Sequence, residues 1–483
     1  MSDELRIYNS LGRETQTFQP LTDGKVNMYV CGVTVYDDCH VGHGRVYVTF
    51  DVVRRFLEHE GYDVNYVVNF TDLEDKIINR ARELGEEITA ITERYTQAYF
   101  DVMDQLNIRR ADVHPTVTGH IPEIIEHVQG LIDRDMAYEV EGNVYYDVSE
   151  FEDYGKLYGQ DPEEMESGSR VDVDERKKSP LDFALWKDSD EDEPSWESPW
   201  GEGRPGWHIE CSVMSRTHLG DTLDIHGGGR DLIFPHHENE IAQTEGLTES
   251  PFSRYWMHNG FVTIDDEKMS KSEGNFYTLE EVFGKFNPEV IRYFYLTRHY
   301  RSPLNFSFDR IREAGEAFGA LTRFRRRLLE AEGWASGGEK SGPDAPDLDS
   351  HRRAFLDSMR EDFNTAEALG HVQNWMGEWN EVLNQWERKD ALHRSEHEAI
   401  TQARDWLRIS LEDILGLDFD GQSESGAGDG DTEALMDLLV SLRDRAREQE
   451  NYEMSDEIRD RLQDLGYKLE DSPRGTRWDR EHE

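Results

Sequence analysis

The sequence is poor in cysteine, poor in lysine and without long apolar runs. Its three cysteines, Cys31, Cys39 and Cys211, are too few and too odd in number for a disulfide framework. Free or metal-bound thiols in a reducing cytoplasm are expected instead. No stretch approaches the ~20 apolar residues that span a bilayer. The opening Met1-Ser2-Asp3-Glu4-Leu5-Arg6 has neither the basic region nor the apolar core of a secretory signal. No membrane association is therefore expected. Lysine supplies only 12 of 53 basic residues, against 102 Asp and Glu, for a net charge of −49 over 483 residues. The acidity runs the length of the chain. Such a lysine-poor, carboxylate-rich surface is expected of a protein kept soluble in high salt, as in halophiles. Taken alone, the charge argues against a nucleic-acid partner.

What is present is enough for several packed cores. There are 11 Trp, 20 Tyr and 21 Phe, and the length suits roughly two to four domains. Residues 26–70 read as strand, helix, strand: Val26 to Val30, then Val46 to Glu60 with helical periodicity ending at Gly61, then Asp63 to Phe70. A crossover of that kind implies a parallel sheet and a doubly wound α/β fold. Residues 72–110 read as helical and 111–205 as mixed. Strand and helix signals resume at Thr222–Ile225 and Phe234–Glu245, and helices are expected at Leu279–Phe286 and Pro288–Leu296. Beyond Phe308 the pattern is mainly helical, interrupted by Gly/Ser/Pro/Asp-rich stretches at Ala331–Ser350 and Gly421–Asp429. The tail reads as helices at Thr432–Glu448 and Tyr452–Leu465 with a short extended end.

Three constellations are candidates for chemistry, against the plainer readings of two structural histidines on a helix, a solvated turn, and two buried cysteines beside a polar helix. His40-Val41-Gly42-His43 follows the first strand and opens a helix, where unpaired N–H groups and partial positive charge suit phosphate. Lys268-Met269-Ser270-Lys271-Ser272 places two lysines in five residues of a lysine-poor chain, and lysine stabilises charge on a departing pyrophosphate. Cys31, Cys211, His236 and Glu240 form a candidate metal set. His236 and Glu240 stand four apart, on one face of a helix that Phe234-Pro235-His236 opens. Two thiolates, an imidazole and a carboxylate suit Zn²⁺, though no Cys-x-x-Cys spacing announces the site. Gly227-Gly228-Gly229 reads either as a close backbone approach to a nucleotide, with His226 nearby, or as a plain tight turn. It lacks the ending of a P-loop.

The paired His-Val-Gly-His and Lys-Met-Ser-Lys-Ser signatures resemble those of class I aminoacyl-tRNA synthetases. The segments MYVCGVTVYDDCHVGHGR, VVNFTDLEDKI, RPGWHIECS, DIHGGGRDLIFPHHENEIAQ and GFVTIDDEKMSKSEGN resemble the cysteinyl-tRNA synthetases within that class. The likeness runs from about Ile7 to the terminal PRGTRW, with Val41 where the nominal signature has Ile. It implies one Zn²⁺ per chain on Cys31, Cys211, His236 and Glu240. It implies ATP, with Mg²⁺, held by His40, Gly42 and His43, with Lys268 and Lys271 on the phosphates. Gly32, Thr71, Trp207 and Asp231 are implied as the amino-acid pocket. Cys39 matches no ligand position and is expected to be a small buried residue.

The activity implied is activation of L-cysteine to its adenylate and transfer to the 3′ end of tRNA(Cys). A soft metal centre distinguishes a thiol from the hydroxyl of serine, and no long insertion resembling an editing domain interrupts the chain. Four protein ligands ordinarily mark a closed structural zinc, so a substrate-sensing zinc rests on the resemblance. The expected organisation is a Rossmann-like catalytic domain over 1–308 with an inserted segment at about 111–205, a helical tRNA-binding bundle over 309–420, and a small anticodon-binding domain over 421–483, in a cytoplasmic monomer. Arg323, Arg325, Arg326 and Arg327, and Arg443, Arg445, Arg459, Arg461, Arg474, Arg477 and Arg480 with Trp478, are the candidate RNA contacts. Glu–Arg helix pairing accounts for about half of these. A cysteine ligase acting on a small amine, a catalytically dead RNA binder and a zinc hydrolase are the alternatives. The C-terminal helices, the intact signatures and the lack of a His-Glu-x-x-His motif argue against each in turn.

Overall fold

The computed structural model describes residues 4–160, 175–190, 193–264, 267–268, 276–419, 429–472 and 475–480. The chain divides into two compact units. One comprises Met1–Gly284, Tyr300–Asn305 and Arg360–Phe363; the other comprises Lys285–His299, Phe306–Met359 and Asn364–Glu483.

The first unit is built on a four-stranded parallel sheet. We label β1 (Lys25–Thr34), α1 (Val41–His59), β2 (Asp63–Thr71), α2 (Asp75–Leu84), α3 (Ile88–Gln105) and α4 (Ile121–Asp133) in chain order. Then come α5 (Ile209–Leu219), β3 (Leu223–Gly229), α6 (Glu238–Thr248) and β4 (Ser253–Asn259). The strand order is β4-β3-β1-β2, every pair parallel. The doubly wound fold expected from the sequence is thus present. The order reverses between β1 and β3, and in such sheets ligands bind at the carboxyl ends of the strands flanking that reversal.

β1 runs on to Thr34, past the Val26–Val30 run that marks it in the sequence. Its register on β2 shifts between Val30 and Val33, so that Cys31 and Gly32 oppose the single residue Asn69. Such a bulge re-aims side chains where a site is built. α1 begins at Val41, five residues before its apolar periodicity becomes legible, because His40 caps it. Phe50 of α1 packs on Gly227, where a Cβ would stand 2.3 Å from the ring. Gly227–Gly229 therefore form the end of a buried strand, not the turn that three glycines suggest.

Between α4 and α5 lies a five-stranded antiparallel sheet of Ala137–Val140, Asn143–Tyr146, Phe183–Asp188, Gly201–Pro205 and Trp196–Ser198, in that spatial order. It shares a core with α4, α5 and α6 that includes Tyr146, Trp186, Leu131 and Ile241.

The second unit is mainly helical. Its helices Phe308–Glu332, Thr365–Trp386 and Arg394–Leu407 bury Phe324, Leu328, Trp375, Trp379 and Trp386. Successive Trp pairs meet edge to face at 6.1 and 5.9 Å, a geometry that adds to their area burial. Helices Asp429–Glu448 and Tyr452–Asp464 precede an antiparallel hairpin, Tyr467–Ser472 with Gly475–Arg480. Among the described residues no helix is long and apolar enough to cross a membrane.

His127 of α4 is buried, with Nε2 3.1 Å from the Gln243 carbonyl, and burial lowers its pKa to about 4. Its unfolded pKa near ~6.5 is higher, so the unfolded chain takes up the proton first. This contribution to stability is complete above pH ~6.5 and falls away toward pH 4, by about 3 kcal/mol. Urea unfolding across that range should show His127→Gln losing correspondingly less stability than the parent.

Candidate active site

The four thiol, imidazole and carboxylate candidates converge. The donor atoms of Cys31, Cys211, His236 and Glu240 all lie within 4.8 Å of one another, and all four residues are buried. Cys31 comes from the β1 bulge, Cys211 from the first turn of α5, and Glu240 from the first turn of α6. His236 lies in a π-helical turn, Ile233–His237, that runs directly into α6, and the i, i+4 spacing brings it to Glu240. Its Nε2 stands 3.1 Å from Glu240 Oε1.

Other histidines support this cluster. His226 Nε2 is 2.7 Å from the second Glu240 oxygen, and His208 Nδ1 is 3.0 Å from His236 Nδ1. His226 therefore faces the thiol cluster and not a nucleotide. His237 Nε2 lies 3.3 Å from Cys31 Sγ, and its Nδ1 bonds His258, which bonds Ser10. These contacts join segments distant in sequence, and no local spacing signals them.

The electrostatics are those of a cation site. A hydrogen bond with Cys31, reinforced by His236, lowers the Cys211 thiol to about 6, although burial opposes it. Burial raises Cys31. Burial also opposes charge on Glu240 and on His236. His226 and then His236 nevertheless hold the Glu240 carboxyl well below its usual range, and Glu240 with Cys211 raises the His236 imidazole to about 10. Two thiols and a carboxylate thus share one buried site with imidazoles, and a divalent ion bound there would displace thiol protons.

The donor set fits zinc. A second grouping, Cys31, His226, His237 and Glu240, satisfies the same spacing. The Cys211 set fits better: it has two soft sulfurs, and both His236 Nδ1 and the outer Glu240 oxygen already have histidine partners. Partners of that kind orient metal ligands.

Beside the cluster opens a cavity of about 500 Å³ at the carboxyl ends of β1 and β3. Its walls include Cys31, Gly32, Trp207 and Asp231, and also His40, Gly42 and His43. Trp207 packs on His236 at 4.7 Å between ring centroids. Thr71 is not among the lining residues; its hydroxyl donates to the buried Glu210 carboxylate at 2.8 Å.

His40 Nδ1 accepts from the Gly42 and His43 amides at 3.1 and 3.3 Å, and His43 Nδ1 from the His40 amide at 3.4 Å. The two rings stack at 3.6 Å. Two helix-terminal amides are therefore already engaged. With both Nδ1 atoms accepting, the proton of each neutral ring sits on Nε2. Tyr36 and Lys76 also line the cavity, with Lys76 Nζ 5.7 Å from the Tyr36 ring centroid, and both were missed in the sequence. Lys271 lies outside the described residues, as does the Lys268 side chain. Cys39 is buried away from the metal set, and burial pushes its thiol up to about 12.

The arginine candidates of the helical unit are largely engaged. Arg325 pairs with Glu412, Arg327 with Glu387, Arg443 with Asp471, Arg459 with Asp456 and Arg461 with Glu457. Arg326 donates to the Trp478 carbonyl. Arg474 lies outside the described residues, as do the side chains of Arg477 and Arg480.

Comparison with known proteins agrees with this geometry. The family model described as tRNA synthetases class I (C) catalytic domain matches residues 17–316, and a DALR domain matches 354–420. A solved Mycobacterium tuberculosis methionyl-tRNA synthetase superposes with a TM-score of 0.59 at 18% identity, covering 81% of this chain and 89% of its own. The fold is that of a class I tRNA synthetase. Curated cysteine–tRNA ligases match end to end. The Aquifex aeolicus protein is 47% identical over 98% of both chains. The Pelotomaculum thermopropionicum protein is 48% identical over 98% of this chain and 99% of its own. The chain belongs to the cysteine–tRNA ligase family.

The bulge allows no side chain at Gly32, where a Cβ would stand 1.6 Å from the Asn69 carbonyl oxygen. Gly32→Ala is expected to cost about 4 kcal/mol or more in urea unfolding, by forcing β1 from β2.

Proposed function

We propose that the chain is an ATP-dependent cysteine–tRNA ligase. The observation that carries this is the buried thiol–imidazole–carboxylate cluster opening directly on the cavity that His40 and His43 line. Zinc on Cys31, Cys211, His236 and Glu240 supplies a soft acceptor that favours a thiolate over a hydroxyl. Gly32, Trp207 and Asp231 surround the amino acid, and Thr71 acts by fixing Glu210 behind the wall.

In activation, a carboxylate oxygen of cysteine attacks the α-phosphorus of ATP, and the bond to the bridging oxygen breaks with release of pyrophosphate. The chain's contribution is positioning and charge stabilisation. His40 and His43 donate through Nε2 to phosphate oxygens. Lys268 and Lys271 are assigned to the departing pyrophosphate, with Mg²⁺ accompanying ATP. The 3′-terminal ribose hydroxyl of tRNA(Cys) then attacks the acyl carbon, releasing AMP.

The helices of 309–420 are assigned to the tRNA stem and residues 421–483 to the anticodon, in a cytoplasmic monomer. The net charge of −49 supports a halophilic source. At molar salt little affinity comes from counterion release, so shape and stacking carry RNA recognition. The extensive pairing of the arginines is consistent with that division.

The test is cysteine-dependent ATP–pyrophosphate exchange in molar KCl, with serine and cysteamine as controls, followed by charging of tRNA. Exchange with cysteine alone and label on tRNA are expected. Exchange without charging would instead indicate a ligase for a small amine. No exchange from folded, zinc-loaded protein would overturn the reading.

A further inference from the structure

Arg45 stands on α1 two residues after His43 and is 1% exposed. Its guanidinium donates to four backbone carbonyls: Gly260 at 3.0 Å, Phe261 at 2.8 Å, Tyr300 at 3.1 Å, and Ser302. The first two residues line the cavity. They form the turn that follows β4 and lead into the hairpin of Val262–Ile264 with Glu267–Lys268. One side chain thus joins the helix that carries His40 and His43 to the root of the hairpin that ends on Lys268.

The other two carbonyls brace that turn from behind. The Gly260 amide donates to the Tyr300 carbonyl at 2.8 Å. A Cβ at Gly260 would stand 2.6 Å from the Ser302 oxygen and 2.7 Å from that of Arg301. Tyr300 is itself held, its hydroxyl donating to Asp362 at 2.8 Å. Asp362 also accepts from the Tyr8 amide and sits at a φ of +60°, a conformation that persists only where surrounding contacts enforce it.

Burying a guanidinium is costly unless its N–H groups are matched. An arginine whose only task was to fill space between α1 and β4 could be replaced by an apolar side chain at less expense. Here the two terminal nitrogens are matched to four carbonyls from two chain segments, a geometry that an ammonium group cannot reproduce.

We propose that Arg45 is a positioning residue for the activation step. It locks α1 to the Gly260–Phe261 turn, so that His40 and His43 keep a fixed spacing to the cavity wall those two residues form. This rests on the reading of that cavity as the ATP site. A displacement of about 1 Å between such groups costs on the order of 100-fold in rate.

The experiment compares Arg45→Lys, Gly260→Ala and Arg55→Lys with the parent. Gly260→Ala pushes the same turn away from Ser302 while leaving the Arg45 side chain itself unsubstituted. Arg55 is a second buried arginine of α1, bonded to Asp51 and the Asn107 carbonyl away from the cavity, and serves as the structural control. Arg45→Lys and Gly260→Ala should each raise KM for ATP about 10-fold and lower kcat for exchange about 10- to 100-fold. KM for cysteine and bound zinc should stay at parental values. Arg55→Lys should lose stability in urea with KM for ATP unchanged.

The inference is overturned if Arg45→Lys lowers exchange only in proportion to the folded fraction, or raises KM for cysteine and ATP alike. An inactive parent would overturn the functional reading instead. Should Arg45→Lys fail to fold, Gly260→Ala decides alone: an unchanged KM for ATP refutes the proposal.

Discussion

Two thiols, an imidazole and a carboxylate are held within 4.8 Å of one another, all buried, beside the cavity that Cys31 lines. Unshared negative charge in such a place costs several kcal/mol, and much of the catalytic unit is arranged around offsetting it. The β1 bulge aims Cys31 inward, α5 and α6 begin where Cys211 and Glu240 must stand, and His226 and His208 occupy the outer faces of Glu240 and His236. The cavity lies at the same place because the sheet reverses its order there, between β1 and β3. The thiol–imidazole–carboxylate cluster and the cavity are thus neighbours through topology, with Cys31 and Gly32 on the cavity wall.

The parts of this site legible in the sequence are those determined locally. His40 and His43 read as a helix start because capping involves only neighbours, and the same spacing lets the two residues cap one another. His236 and Glu240 meet as their spacing suggests, although the helix begins two residues after His236. The strand–helix–strand unit was legible because alternation and helical period depend on local burial.

What was not legible depends on distant partners. His226 and His237 belong to the metal cluster only because β3 and α6 fold beside β1. The three glycines that read as a close backbone approach or a turn are a strand end, with Gly227 against Phe50 of α1. Arg45 is indistinguishable from any helical arginine until Gly260 and Tyr300 arrive from more than two hundred residues away. The candidate RNA-binding arginines show the reverse case. They form conspicuous runs in the sequence, and among those whose side chains are described most hold carboxylates of their own unit.

The central claim is that a metal at the buried cluster reads the thiol of the substrate. The most direct test replaces the native metal with Co²⁺ and records its absorption while cysteine or serine is added without ATP. The account predicts a change in the sulfur-to-cobalt bands with cysteine and none with serine at the same concentration. A spectrum unmoved by cysteine at levels that saturate exchange would contradict it and leave the metal a purely structural part of the fold.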